Sequence, residues 1–187
     1  MGGGLVARTG PRLPLTVGPA IAALGIALFA RGGISGSYWS TVFPAVCLLG
    51  VGMTITVAPL TTTVMGAVET HRAGVASGIN NTVSRVAGLL AIAVFGVLLA
   101  QKFDSEVRPR LDRLVLSTAA RTEIEKQLPK MAGAELKNVD LEPPQRAAVL
   151  LSIDEAFVSG FRIVVLGSAL LALTAAAFGA AIRDRRA

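Results

Sequence analysis

Asn81, Ser84 and Arg85 place an amide, a hydroxyl and a guanidinium close together in an otherwise apolar stretch. Three or four residues apart, such groups share one face of a helix. Gly74, Ser77, Gly78 and Gly88 extend that face, whereas Leu89, Leu90 and Val97 fall off it. A guanidinium is permanently charged and offers five donors in a planar fork, so this face could hold a carboxylate, a set of carbonyl groups or an anionic ligand. Between Gly74 and Gln101 there is no proline and no charge other than Arg85. That length suffices to cross a bilayer, which takes ~20 mostly apolar residues. A small, polar stripe on an apolar helix inverts the pattern of a soluble helix. In lipid it is expected to face other helices or a water-filled path. Arg85 lies twelve residues beyond Ala73, roughly 18 Å at ~1.5 Å per residue. That is about halfway across a ~30 Å hydrocarbon core, too deep for easy snorkelling.

Upstream, Gly50, Thr54, Ala58 and Thr61 recur at helical spacing and make a second, weaker polar stripe. Thr54 and Thr61 are secondary candidates for the path, and the plain alternative for every hydroxyl is a hydrogen bond between helices. Pro59 removes a backbone donor and predicts a kink, with nearby threonines placed to satisfy freed backbone groups. Gly74, Gly78, Gly88 and Pro59 are the expected helix-packing positions. No catalytic set accompanies these residues. His71 is the one histidine and Cys47 the one cysteine, and neither stands at ligand spacing with the carboxylates, so no metal site and no cofactor are expected. Cys47, inside an apolar run, reads as packing. The absence of a nucleophile–base pair or a phosphate-binding loop argues against an enzyme.

The elements that must position these residues follow from composition. Of 187 residues, 52% are hydrophobic and 16% charged, with a mean hydropathy of +0.63. With long apolar runs, this reads as an all-α integral membrane protein of about four transmembrane helices. Residues 1–13 form a short glycine-rich, basic tail. Residues 14–101 hold three spans: about Pro14 to Ala30, about Thr41 to Val68, and the Gly74–Gln101 stretch. Tyr38-Trp39 suits a membrane–water interface before the second span. Residues 102–153 are a long polar loop, in which Val107, Leu111, Leu114, Val115 and Thr118 predict an amphipathic helix on a surface. Pro129, Gly133 and Pro143-Pro144 divide this loop. Residues 154–187 hold the last span and a basic tail. The formal charge of +6 gathers on no basic face with interleaved aromatics, so nucleic acid is not an expected partner. Arginines in both tails and at Arg72 favour a cytoplasmic side for them, but Lys102, Arg108, Arg110 and Arg113 lie near the opposite ends. The count is split.

Two stretches resemble a known family. Gly3-Gly-Leu5-Val-Ala7-Arg8-Thr-Gly10-Pro-Arg12 is similar to the cytoplasmic-loop motif of the major facilitator superfamily, G-x-L-x-D-R-x-G-x-R. Gly3, Leu5, Arg8, Gly10 and Arg12 match, and Ala7 stands where the motif has aspartate. Pro59 to Met65 and Gly74 to Gly88 resemble the penultimate-helix region of the fourteen-span drug–proton antiporter branch. The resemblance implies that the chain is the C-terminal part of a major facilitator-type bundle in the plasma membrane, the inner membrane of a bacterium. It places the first loop in the cytoplasm and the 102–153 loop outside.

It also implies efflux of multiple drugs or small molecules coupled to proton entry. Beyond the lipid bilayer, the implied partners are a small-molecule substrate, protons, and the missing N-terminal helices or a full-length relative. None of the four spans carries a carboxylate well inside the membrane, where proton coupling normally needs one. The chain is therefore expected to be inactive alone. The alternative is a small four-span membrane protein with a structural or regulatory role.

Overall fold

The computed structural model describes residues 10–34, 36–66 and 68–182. Among them the chain is helical, with no strand. Helix α1 covers Arg12–Leu28 and ends in a 3-10 turn, Phe29–Arg31; α2 covers Tyr38–Gly66. After a 3-10 turn at Thr70–Arg72 come α3, Ala73–Asp112, and the short α4, Thr118–Gln127. A second 3-10 segment, Leu128–Gly133, leads toward α5, Pro143–Ala181. Four of these helices (α1 with its 3-10 turn, α2, α3 and α5) are long and apolar enough to cross a membrane.

Two helices run past the expected span ends: α3 continues beyond Gln101 to Asp112, and α5 starts at Pro143, ahead of residue 154. Both extensions are polar on one side and apolar on the other, so helical geometry outlasts the membrane-like composition. Lys102, Glu106 and Arg110 are linked in i,i+4 steps along α3, a spacing that supports an exposed helix. Phe103, Val107 and Leu111 occupy its other side and are buried.

The chain divides into two compact units. One holds α1, α2, α3 up to Ile92 and α5 from Val165; the other holds Gly33, Ile34 and Ala93–Val164. In the first unit, α1 and α2 approach backbone to backbone. Ala45, Gly52 and Pro59, seven residues apart, are the buried positions of α2. A Cβ added at Gly25 would stand 2.5 Å from the Leu49 nitrogen, and one at Gly52 would land on the Ala22 backbone. Gly18 meets Thr56, and Gly179 of α5 meets the Leu15 carbonyl of α1 equally closely. Helices in lipid associate through such small-residue contacts because no hydrophobic gain separates protein from lipid tails.

The second unit has a core of large apolar side chains. Phe103, Val107 and Leu111 from α3, Ala120 and Ile124 from α4, Leu136, Val139 and Leu141 from the following loop, and Val149, Ile153 and Ala156 from α5 are all buried together. The amphipathic helix expected here is the end of α3. Val107 and Leu111 do mark an apolar side, but it turns into a folded cap, while Val115 falls past the end of α3 and is 89% exposed. Ser117 caps α4 by accepting from the Ala120 nitrogen at 3.1 Å, satisfying one donor that a helix start leaves open. The Arg146 guanidinium donates to the Leu136 and Val139 carbonyls. Gln145 donates to the Val115 carbonyl at 2.8 Å. These bonds hold the irregular connections against α5.

Candidate functional site

The polar face of α3 is open. Asn81, Ser84, Arg85 and Gly88 are exposed, as are Gly74 and Gly78, while Ser77 is half-buried. A Cβ placed on Gly74, Gly78 or Gly88 would meet nothing within 4 Å. The expected packing role of these three glycines therefore has no partner among the described residues. Close approach falls instead on Gly18, Gly25, Gly52 and Gly179. Pro59 alone of the four expected packing positions is buried. Among the described residues, Asn81, Ser84 and Arg85 make no hydrogen bond or ion pair, although Thr82 beside them donates to the Gly78 carbonyl at 2.9 Å. An unpaired guanidinium halfway along a membrane helix is the chemically unsatisfied group of this face.

On α2 the second stripe behaves differently. Thr54 and Thr61 are exposed, and each hydroxyl is satisfied within its own helix, donating to Gly50 at 2.8 Å and Val57 at 3.0 Å. Thr62 and Thr63 likewise bond the Ala58 and Pro59 carbonyls. None of these acceptors is the Ile55 carbonyl, the group that Pro59 leaves without its helical donor. The stripe read from Gly50 is offset from the packing seam: Gly50 faces open space, and Gly52 is the residue that touches α1. A repeat of seven through Ala45, Gly52 and Pro59 was the available signal. Cys47 is exposed on α2, so its expected packing role is not fulfilled within this chain.

Of the loop motif, Gly3, Leu5 and Arg8 lie outside the described residues. Gly10 has φ of 72°, a left-handed conformation that glycine adopts without strain. Arg12 opens α1, directly after Pro11. His71 lies 3.5 Å from Glu69, both well exposed, and no group of three or more potential metal ligands occurs among the described residues.

A second polar cluster, on the cap, escaped the sequence reading. Lys102 bonds Glu106 at 2.6 Å, and Arg110 reaches both Glu106 and, on α5, Glu155. The Lys102 ammonium, followed by the Arg110 guanidinium, holds the Glu106 carboxyl below the usual carboxylate range, against the opposing effect of burial. The i,i+4 spacing of Lys102, Glu106 and Arg110 was legible. The partnership with Glu155, 45 residues away, was not.

No family model matches the chain, and no solved structure matches it. Relatives by sequence do. The chain is 28% identical over 168 residues to the multidrug resistance protein Stp of Mycobacterium tuberculosis, covering 88% of this chain and 31% of that protein. It is 30% identical over 173 residues to the methyl viologen resistance protein SmvA of Salmonella typhimurium, covering 91% and 34%. It also matches the siderophore iron transporter ARN1 of Saccharomyces cerevisiae, at 31% identity over 98 residues, covering 52% and 15%. The chain spans about a third of the length of the first two relatives. Four membrane-length helices, a two-stretch motif resemblance and relatives of this kind agree: this is a multi-pass membrane protein similar to drug-resistance transporters of the major facilitator type over about a third of their length.

Proposed function

We propose that this chain acts as the C-terminal part of a plasma-membrane transporter that expels multiple drugs or small molecules in exchange for protons, and that it is inactive alone. The observation that carries the proposal is the open polar face of α3, with Arg85 unpaired among the described residues. An arginine at mid-bilayer costs from ~3 kcal/mol on insertion scales to more than ten in simulations unless it is satisfied. The chain's own spans place no carboxylate near it, so a group on further helices, water or an anionic substrate must meet it. Asn81 and Ser84 complete the polar patch, with Thr54 and Thr61 as weaker contributors. Gly74, Gly78 and Gly88 leave room for a neighbouring backbone.

Coverage of about a third of each relative supports the view that other helices belong with these. The printed roles of the relatives, multidrug and methyl viologen resistance, support extrusion of foreign small molecules. On this reading the cap faces outward, and the first loop and the basic C-terminal tail face the cytoplasm. A single cysteine at Val115, in a Cys47→Ser background, should react with an impermeant maleimide added outside intact cells.

The decisive test uses a product that carries the remaining helices. Arg85→Ala and Arg85→Lys should both cut efflux at unchanged membrane abundance, because lysine lacks the planar fork. Unchanged transport in both variants would remove Arg85 from the mechanism. The 187-residue chain alone, purified into vesicles, should move no dye when given a pH gradient; active transport there would show that it needs no partner helices.

A further inference from the structure

The cap offers an inference that does not depend on what is transported. Helices α3 and α5 run without interruption from their apolar parts into the cap, 40 and 39 residues long. Within the second unit they touch at three levels. Lowest, in the apolar part, Gly160 lies against Leu99: an added Cβ would stand 2.8 Å from the Leu99 side chain and 3.2 Å from its carbonyl oxygen. Higher, Val107 and Val149, both fully buried, belong to the shared core. At the third contact Arg110, past Val107 on α3, spans the two helices, bound to Glu106 on its own helix and to Glu155 on α5. Lys102 completes the chain of charges through Glu106.

These side chains are only 29–43% exposed. Glu106, Arg110 and Glu155 line a cleft of about 360 Å³ with Ser159, Arg162 and, from the α1–α2 connection, Ile34. A guanidinium held by two carboxylates in partial shelter is a directional tie, because its planar fork fixes the angle at which both partners are met. The apolar contacts at Leu99 and Val107 can slide or rotate by small steps, whereas the fork cannot without breaking.

We propose that Arg110, braced by Glu106 and closed by Glu155, is a latch that fixes the register and spacing of α3 and α5 at the outer membrane boundary. Within Ala93–Val164, the adjoining parts of α3 and α5 and the cap then move as one piece. Glu106 acts as a positioning residue, holding the guanidinium toward α5. Arg162 lines the same cleft from the apolar side.

The test uses the full 187-residue chain in vesicles, with Cys47→Ser and spin labels at Asp104 and Ser152. The inter-label distance distribution should be narrow. Glu155→Gln should broaden it and add a second population, and Glu106→Gln should broaden it less. Arg108→Ala, which removes only the surface pair with Asp104 in an otherwise identical background carrying the label at Arg113 instead, should leave it narrow. A distribution as narrow in Glu155→Gln as in the parent would overturn the latch. If Glu155→Gln loses helicity by circular dichroism, Arg110→Lys is read instead: it keeps the charge but not the fork, so retained helicity with an unbroadened distribution also overturns the proposal.

Discussion

Helix α3 presents two halves with opposite behaviour. In its cap half, Phe103, Val107 and Leu111 are all but inaccessible. In its membrane half, Val83, Leu89 and Ile92 are 61%, 68% and 73% exposed. The residue types are similar; the surroundings that decide their burial are not. Water drives the cap's apolar side chains into a core, whereas lipid tails or neighbouring helices accept apolar side chains where they stand. Contacts in the membrane half of the protein are accordingly made by glycines and alanines, as at Gly52 against Ala22, and in the cap by large side chains. One helix therefore obeys two rules for what counts as packed.

That contrast can be broken most easily at Phe103. Removal of a buried phenylalanine costs about 3–5 kcal/mol, so Phe103→Ala should expose the cap amides in hydrogen exchange and lower its unfolding midpoint. Leu89→Ala, on the open half of the same helix, should change neither measurably in this chain. Equal losses in the two variants would mean that the membrane half is packed against something within the chain.

A smaller effect separates two kinds of glycine. Gly52→Ala forces a methyl onto the Ala22 backbone, and overpacking of this sort costs about 1–3 kcal/mol. Gly78→Ala meets nothing within 4 Å and should stabilise α3 by about 0.5–1 kcal/mol through helix propensity. Detergent-induced unfolding of both variants reads the difference. In a product with additional helices, a reversal at Gly78 from gain to loss would locate a neighbouring backbone against it.

The least effect is expected from pH. Glu106 has a carboxyl held below its ordinary range by Lys102 and Arg110. Such a group contributes stability that is fully present above the unfolded-state value and is lost as pH falls through the lower folded-state value. Cap stability should thus be flat with respect to this group from neutral pH down to the ordinary carboxylate range and decline only below it. In Glu106→Gln that acid-side decline should be shallower. A midpoint that moved between pH 6 and 8 in the parent but not in this variant would show that Glu106 titrates far higher.

Much of this was legible without coordinates. Uninterrupted apolar runs dictated four membrane helices, because an unpaired backbone cannot cross lipid in any other single-segment form. The spacing of Gly74, Asn81, Ser84, Arg85 and Gly88 placed them on one face, since a regular helix leaves no other arrangement. The first span is rich in alanine and glycine, which permit close helix approach, and Gly18, Gly25 and Ala22 carry it. Three things were decided only in three dimensions. The α2 seam runs through Gly52 and not Gly50, because which small residue faces a neighbour depends on where that neighbour lies.

The 102–153 segment folds into a cap with its own core, because Leu136, Val139 and Leu141 show no helical period and are buried by returning against α3 and α5. Glu155 finds Arg110 across the fold; a charge pair so distant in sequence leaves no local pattern. Sequence sets what each helix can offer along its faces through short-range geometry. Which offer is taken up depends on the partner that the tertiary fold brings within reach, and for Arg85 the described fold brings none.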